Sequence, residues 1–363
     1  MNKVKTCVYA IALNEIHHVE KFMQANQGAD LVLVCDTGST DGTPELLEKL
    51  GAKVYRITQR PWRFDIPRNT VLSLIPNDID ICLSIDLDEY LQPGWAESID
   101  REWQKHNGKI KRISYDYIWN WHEDGVTPNL RFFADKIHHR QGFKWQHPCH
   151  ETLYWVGEGD CLHISIPDVI LHHRADNGKS RGQYLHLLKA AAEEDPTNDR
   201  MSHYYGRELM FKGMNEEAIA ELTRHLSLSN AQWKEERATS LRFISRCQKH
   251  IGKLIESQES ALKAVMECGT VRETWLELAR ISHVRDDWHT SFWAATKCLS
   301  IPNPTNSYMN DPACWGFEPY DLAAIAAYYL GIYEKAKEYG QEADRLNPND
   351  ERIKKNLEFY MAK

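Results

Sequence analysis

Four small residues, Ala218, Ser257, Ser291 and Ala336, hold the same slot in successive helical stretches, at separations of 39, 34 and 45 residues. A degenerate period of this length is the mark of helical hairpins, each too thin to bury its own apolar face, so that neighbours must stack to make a core. A small side chain at a fixed slot lets two helices cross closely. Flanking positions repeat in kind: Gly206, Leu209, Gly213 and Leu222 in the first unit, Leu241, Ile244, Gly252 and Ala261 in the second, Trp275, Leu278 and Ala295 in the third, and Ala323, Gly331 and Ala343 in the fourth. Between the third and fourth units the stretch Pro302–Pro319, with Trp315 and Phe317, breaks the spacing. It reads either as a functional loop or as a long connection. The helical pattern begins at Tyr184, which divides the 363 residues into 1–183 and 184–363, each long enough for a core of its own.

The first part has a different rhythm. Thr6–Leu13 and Leu31–Cys35 are short apolar, β-rich runs, each followed by a segment of helical spacing (Glu15–Gln27, Pro44–Leu50), and Lys53–Ile57 is a third strand. Strand–helix alternation predicts a doubly wound parallel sheet with right-handed crossovers. In such sheets ligands bind at the carboxyl ends of the strands. Two of those ends carry polar segments. Asp36–Thr43 is Asp-Thr-Gly-Ser-Thr-Asp-Gly-Thr, where Asp36 suits a base or ribose, though an ordinary capped helix entry explains it equally well. The apolar run from Ile79 ends in Asp86, Asp88 and Glu89; carboxylates two residues apart at a strand end can converge on a hard cation, or can simply be solvated. Between them, Arg63 and Arg68 are able to neutralise phosphate and Asn69 to hydrogen-bond a base or ribose.

Taken together, Ala-Leu-Asn-Glu at 12–15, the 36–43 segment, Phe-Asp-x-x-Arg-Asn at 64–69 and Asp-x-Asp-Glu at 86–89 resemble the family 2 glycosyltransferases of the GT-A fold, over roughly the first 180 residues. The repeats with their Asn347-Pro348-Asn349 ending resemble tetratricopeptide repeats. The fold class this implies is α/β, a GT-A (Rossmann-like) nucleotide-sugar-binding domain over 1–183, followed by an all-α helical-hairpin repeat domain over 184–363. The first resemblance implies a metal-dependent inverting glycosyltransferase using a nucleotide sugar, a UDP-sugar above all, with Mn²⁺ or Mg²⁺. Asn14, Asp36, Arg68, Asn69 and Asp86 would then hold the nucleotide and Asp88 and His172 the metal, with His173 the alternative to His172. Glu151, in the His-Glu pair at 150–151, would be the general base that takes the acceptor proton. Trp119, Trp121 and His122 would line the acceptor cleft, and Asn177–Arg181 would be a basic lid or a plain linker. The acceptor would be a polypeptide or glycan. The other readings are the same chemistry on a modified DNA base and a non-catalytic repeat scaffold carrying a degenerate transferase domain. The repeats also offer a surface for a homodimer.

Charge and composition narrow the partners. A net charge of −8 leaves no basic footprint for nucleic acid or anionic membrane. No apolar stretch is long enough to span a bilayer. Met1–Lys5 leads straight into a strand-like run, with the expectation of no leader peptide. The nine cysteines are odd in number and scattered without a Cys-x-x-Cys, which points to buried free thiols and a cytoplasmic, reducing location.

Overall fold

The computed structural model describes residues 3–175, 182 and 184–363, and all statements of absence or number below concern these residues. The chain forms two compact units, Met1–Gln183 and Tyr184–Lys363. The segment 177–181, expected as a lid or linker, lies outside the described residues.

The first unit begins β1 (Thr6–Ala12), α1 (Ile16–Ala25), β2 (Leu31–Asp36), α2 (Thr43–Lys49), β3 (Lys53–Arg56), α3 (Asp65–Leu74) and β4 (Ile81–Ser84). It continues with β5 (Glu89–Leu91), α4 (Trp95–Lys105), β6 (Arg112–Trp121), β7 (Pro128–His139), β8 (Phe143–Gln146), β9 (Thr152–Trp155) and β10 (His163–His173). One eight-stranded sheet has the order β3-β2-β1-β4-β7-β6-β10-β5, and β8 and β9 form a separate hairpin. β3, β2, β1 and β4 run parallel, as the strand–helix alternation predicts. The sheet as a whole is mixed, however: β7 is antiparallel to both β4 and β6, and β5 is antiparallel to β10. The reason is local, since β6 and β7 are joined by a short turn at Glu123–Gly125 that only an antiparallel pair can use.

β1 explains why a strand can be apolar throughout. Val8, Ala10 and Ala12 pack on one face with α1 and α4, while Cys7 and Tyr9 pack on the other with Val71 and Leu72 of α3 and with Phe143, Trp145 and Leu153 of the β8–β9 hairpin. Both faces are covered, so no polar alternation survives. All nine cysteines are free thiols, and all but Cys161 are buried.

The second unit is helical: α5 (Tyr184–Glu194), α6 (Asp199–Phe211), α7 (Asn215–Ser227), α8 (Lys234–His250), α9 (Leu254–Glu267), α10 (Arg272–Val284), α11 (Trp288–Ser300), α12 (Glu318–Tyr329), α13 (Tyr333–Leu346) and α14 (Glu351–Met361). Ala218, Ser257, Ser291 and Ala336 are each the fourth residue of the second helix of a hairpin and are each fully buried. Each faces a small residue twelve positions earlier on the first helix: Gly206, Ser245, Ala279 and Ala324. Ser257 donates to the Ser245 carbonyl at 2.7 Å and Ser291 to the Ala279 carbonyl at 3.3 Å. A Cβ on Gly206 would come within 2.6 Å of Leu222, so this crossing tolerates nothing larger than hydrogen.

The hairpin turns are equally regular. Gly213, Gly252, Asp286 and Gly331 each adopt a left-handed conformation, with φ of 73°, 78°, 54° and 74°. The following residue, Met214, Lys253, Asp287 or Ile332, donates its N–H to the carbonyl five positions back, at 2.8–3.0 Å. This is the Schellman closure, in which the left-handed residue turns the chain so that otherwise orphaned helix-end carbonyls are satisfied. The same backbone bonds at the same offset in all four hairpins make this unit a true repeat array, on its own geometry. No helix among the described residues is long and apolar enough to cross a membrane.

Candidate functional site

At the carboxyl end of the parallel strands the structure gathers two of the expected residues, Asp86 and Glu151, around a third, the cation Arg68. Arg68, on α3 and 4% exposed, donates through Nε to Glu151 Oε1 at 2.5 Å, through Nη2 to both oxygens of Asp86 at 2.9 and 3.1 Å, and through Nη1 to Ser84 Oγ at 3.2 Å. Its guanidinium also lies 5.1 Å from the Trp145 ring. Burial by itself would raise the Asp86 carboxyl, but the charges of Arg68 and Lys136 outweigh it and hold it at about 2. Lys136 Nζ approaches Asp86 at 3.8 Å and Glu89 at 3.4 Å. Glu89 is buried, accepts from the Asp86 N–H at 2.9 Å and from Tyr117, and burial pushes its carboxyl up. Asp86 and Glu89 thus each meet a cation of the same unit.

His173, not His172, meets Asp88, at 3.5 Å. Neighbouring residues of a strand point to opposite faces, and β10 turns His172 onto Trp121, stacked at 5.3 Å. Burial lowers the His173 imidazole, yet its hydrogen bond to Asp88 carries it above the ordinary histidine range. The expectation for His172 as a metal ligand is corrected accordingly. Among the described residues no three His, Cys, Asp or Glu side chains come together as a metal-holding group. Asp86 is engaged by Arg68, and Asp88 lies against His173.

The other expected residues act on the scaffold. Asn69 donates to the Trp145 carbonyl at 2.8 Å and accepts from the Trp145 N–H at 2.9 Å, pinning β8 to α3. Asn14 accepts from the Thr40 N–H at 2.8 Å, tying the end of β1 to the 36–43 loop. Asp36 accepts from the Gly38 and Ser39 N–H groups, both at 3.1 Å, and closes the turn that Gly38 makes with φ of 115°. Trp119 stacks on His173 at 4.5 Å, and the His122 N–H closes the β6–β7 turn on the Thr127 carbonyl at 2.9 Å.

A second cluster, on the repeat unit, was not among the candidates. The first helices of successive hairpins pack on one another, and α6, α8 and α10 present a face to the segment between α11 and α12. Along this face stand Arg242 and Arg246 of α8 and Arg280 of α10, and Asp311 of the intervening segment points one oxygen, Oδ2, at all three, at 3.4, 3.4 and 3.7 Å. Burial works against the Asp311 charge, but Arg242, Arg246 and Arg280 together hold its carboxyl below the usual range. Arg246 is also paired with Glu277 at 2.7 Å, and Arg280 forks onto Glu318 at 2.6 Å through two nitrogens. Arg242 is 3% exposed, has Asp311 as its one ion-pair partner among the described residues, and leaves its Nε without a hydrogen bond. Three residues before Asp311, Tyr308 stacks on Tyr204 at 6.4 Å, meets the edge of Trp233 at 5.4 Å and accepts from Arg200 at 3.0 Å. The cavity left under the segment beside Arg242 and Glu273 is about 10 Å³, room for one water. The interrupted spacing at Pro302–Pro319 and the arginines one helical turn apart at 242 and 246 were the available sequence signals.

No family model matches the sequence, and no curated protein matches it. Solved structures do: MamA, at 16% identity over 45% of this chain and 86% of that one, with a TM-score of 0.37. YrrB, described as a TPR protein with an unusual peptide-binding site, aligns at 13% identity over 48% of this chain and 82% of that one, with a TM-score of 0.40. PilW, a type IV pilus biogenesis factor, aligns at 15% identity over 48% and 73%, with a TM-score of 0.39. These are repeat proteins, not glycosyltransferases. No family model and none of these structures supports the family 2 glycosyltransferase resemblance, so that family, and the enzyme assignment that rested on it, are withdrawn.

Proposed function

We propose that this protein is a non-catalytic repeat scaffold that holds an extended, acidic segment of a protein partner on the first-helix face of its repeat unit. One observation carries the reading: that face already holds a non-helical segment of this chain, turned at Ser307–Asn310, with an aromatic ring and a carboxylate seated in it. Helical hairpin arrays offer extended faces of this kind because each hairpin adds one helix to a continuous surface. Arg242, Arg246 and Arg280 supply planar, forked donors that match carboxylate oxygens, and their setting is largely dry, which strengthens each contact. The first unit, with its carboxylates compensated internally by Arg68, Lys136 and His173, serves as a rigid attached body.

The test is selection from a displayed library of random twelve-residue peptides on the full chain and on its Tyr308→Ala/Asp311→Asn form. The expected result is enrichment of carboxylate-bearing peptides whose affinity falls at least about tenfold when Arg242 and Arg246 are both replaced by Met. Failure of both forms to enrich any peptide, or enrichment indifferent to the two arginines, overturns the proposal.

A further inference from the structure

The segment between α11 and α12 is more than a connection. It runs sixteen residues, from Pro302 to Phe317, with a single 3-10 turn at Pro312–Trp315. Both of its ends are anchored by Arg272, which donates to the Ile301 carbonyl at 2.7 Å where the segment begins and to the Cys314 carbonyl at 3.0 Å near its close; it also covers the Trp315 ring at 3.9 Å, and Cys314 is fully buried in the core beneath. The stretch between is held by side chains. Pro302, Asn303, Pro304 and Asn306 are exposed and Ser307 is buried; from Thr305 to Asp311 the contacts with the helices include Tyr308 in its aromatic seat and on Glu236 at 3.5 Å, Asp311 among the arginines, the Asp311 N–H on Glu273 Oε1 at 3.0 Å, and Thr305 on Glu235 at 3.5 Å.

Those contacts are those of a ligand rather than of a core. The Asp311 distances of 3.4–3.7 Å are long beside the 2.6 Å fork of Arg280 on Glu318 in the same cluster. With the segment seated, the guanidiniums of Arg242, Arg246 and Arg280 face the carboxylates of Asp311, Glu277 and Glu318. With it lifted, Arg242 loses its only ion-pair partner among the described residues. A carboxylate arriving in place of Asp311 restores that charge-assisted pair. An internal ligand of this sort competes at high effective concentration with anything arriving from solution.

Resting on the scaffold reading above, we infer that residues Thr305–Asp311 are a built-in occupant of the partner groove, and that the partner segment presents an aromatic residue followed three positions later by Asp or Glu, which displaces Tyr308 and Asp311. The anchors are Ile301 and the turn at Pro312–Trp315, so the exchange lifts the stretch between them and leaves the repeat core intact. Apparent affinity for a competing segment scales with the fraction of molecules whose groove is open.

The probe is a fluorescent synthetic peptide with the sequence of Asn303–Pro312, titrated into the full chain and into its Tyr308→Ala/Asp311→Asn form. The expected result is at least about tenfold tighter binding to the variant than to the unmodified chain, because the variant's groove is open more often. The same peptide with its Asp replaced by Asn, or its Tyr by Ala, is expected to lose that binding, as is the variant chain with Arg242→Met added. If the double variant fails to fold, Asp311→Asn alone is used, since an amide keeps the shape and removes the charge. Equal binding to both chains, or no binding to the variant while library peptides still bind it, overturns the inference and leaves the scaffold reading standing. Library peptides that bind neither form overturn the scaffold reading itself.

Discussion

Arg68 and Glu151 lie 83 positions apart and meet through a 2.5 Å hydrogen bond between Nε and Oε1. The same guanidinium holds Asp86, so one side chain compensates two carboxylates and links α3, the segment after β4 and the connection between β8 and β9. Removing the cation leaves both acids largely buried without it. Arg68→Met is expected to destabilise the first unit by about 3–5 kcal/mol, measured by hydrogen exchange of the α3 and β4 amides. A loss below about 1 kcal/mol would show that the pair is solvent-compensated.

His173 provides a local titration. Its imidazole is held above 6.5 by Asp88, so the pair contributes stability that is fully present below the unfolded value and lost as pH rises through the raised folded one. Asp88→Asn removes the charge and is expected to move the His173 midpoint downward in an NMR titration. An unchanged midpoint would assign the shift to the Trp119 carbonyl, which also bonds the ring at 2.8 Å.

The hairpin turns make an opposite-sign prediction within one motif. Asp286 is an exposed, left-handed non-glycine at the slot where the other three hairpins carry glycine. Asp286→Gly is expected to stabilise the repeat unit by about 0.5–1 kcal/mol, and Gly252→Ala to destabilise it by about 1–2 kcal/mol. A Cβ at Gly252 would meet nothing within 4 Å, so calorimetry on the two variants reads backbone strain without a packing term.

Inside the first two hairpins, Ser240 Oγ lies 2.7 Å from His203 Nδ1 and 3.0 Å from His225 Nδ1, and all three residues are fully buried. One hydroxyl can donate to only one ring nitrogen, so the other imidazole carries its proton on Nδ1 and donates. Ser240→Ala breaks both bonds and is expected to cost about 1–3 kcal/mol in a denaturant titration, while Ser240→Thr is expected to recover part of it.

Acid should release the groove segment before it unfolds the repeats. Asp311 sits below 3.8 because of Arg242, Arg246 and Arg280, so its docking is fully present above that value and is lost as pH falls through the depressed one. The neighbouring acids Glu273, Glu277 and Glu318 face the same arginines, and Glu273 is raised by burial and protonates earlier. Amides of 305–311 are therefore expected to lose exchange protection at low pH while those of α8 and α10 keep theirs; simultaneous loss would make the segment part of the repeat core.

The sequence by itself determined the repeat array. Its hairpins close by bonds between residues five apart and cross at small residues twelve apart, so glycine spacing and helical periodicity suffice to read them. β1, β2 and β4 were legible because each run is apolar enough to be covered on both faces. The mixed direction of the sheet was hidden in a turn, and the motif-like order of Asn14, Asp36, Arg68, Asn69, Asp86 and Glu151 suggested a chemistry that the comparisons did not uphold. Only the tertiary structure decided how the charges pair: that Arg68 joins Asp86 to Glu151, that His173 rather than His172 reaches Asp88, and that Asp311 returns to Arg242 from 69 residues away. Such contacts depend on which elements pack side by side, and an ion pair in a dry cluster is set by a few ångströms of approach that no local pattern encodes.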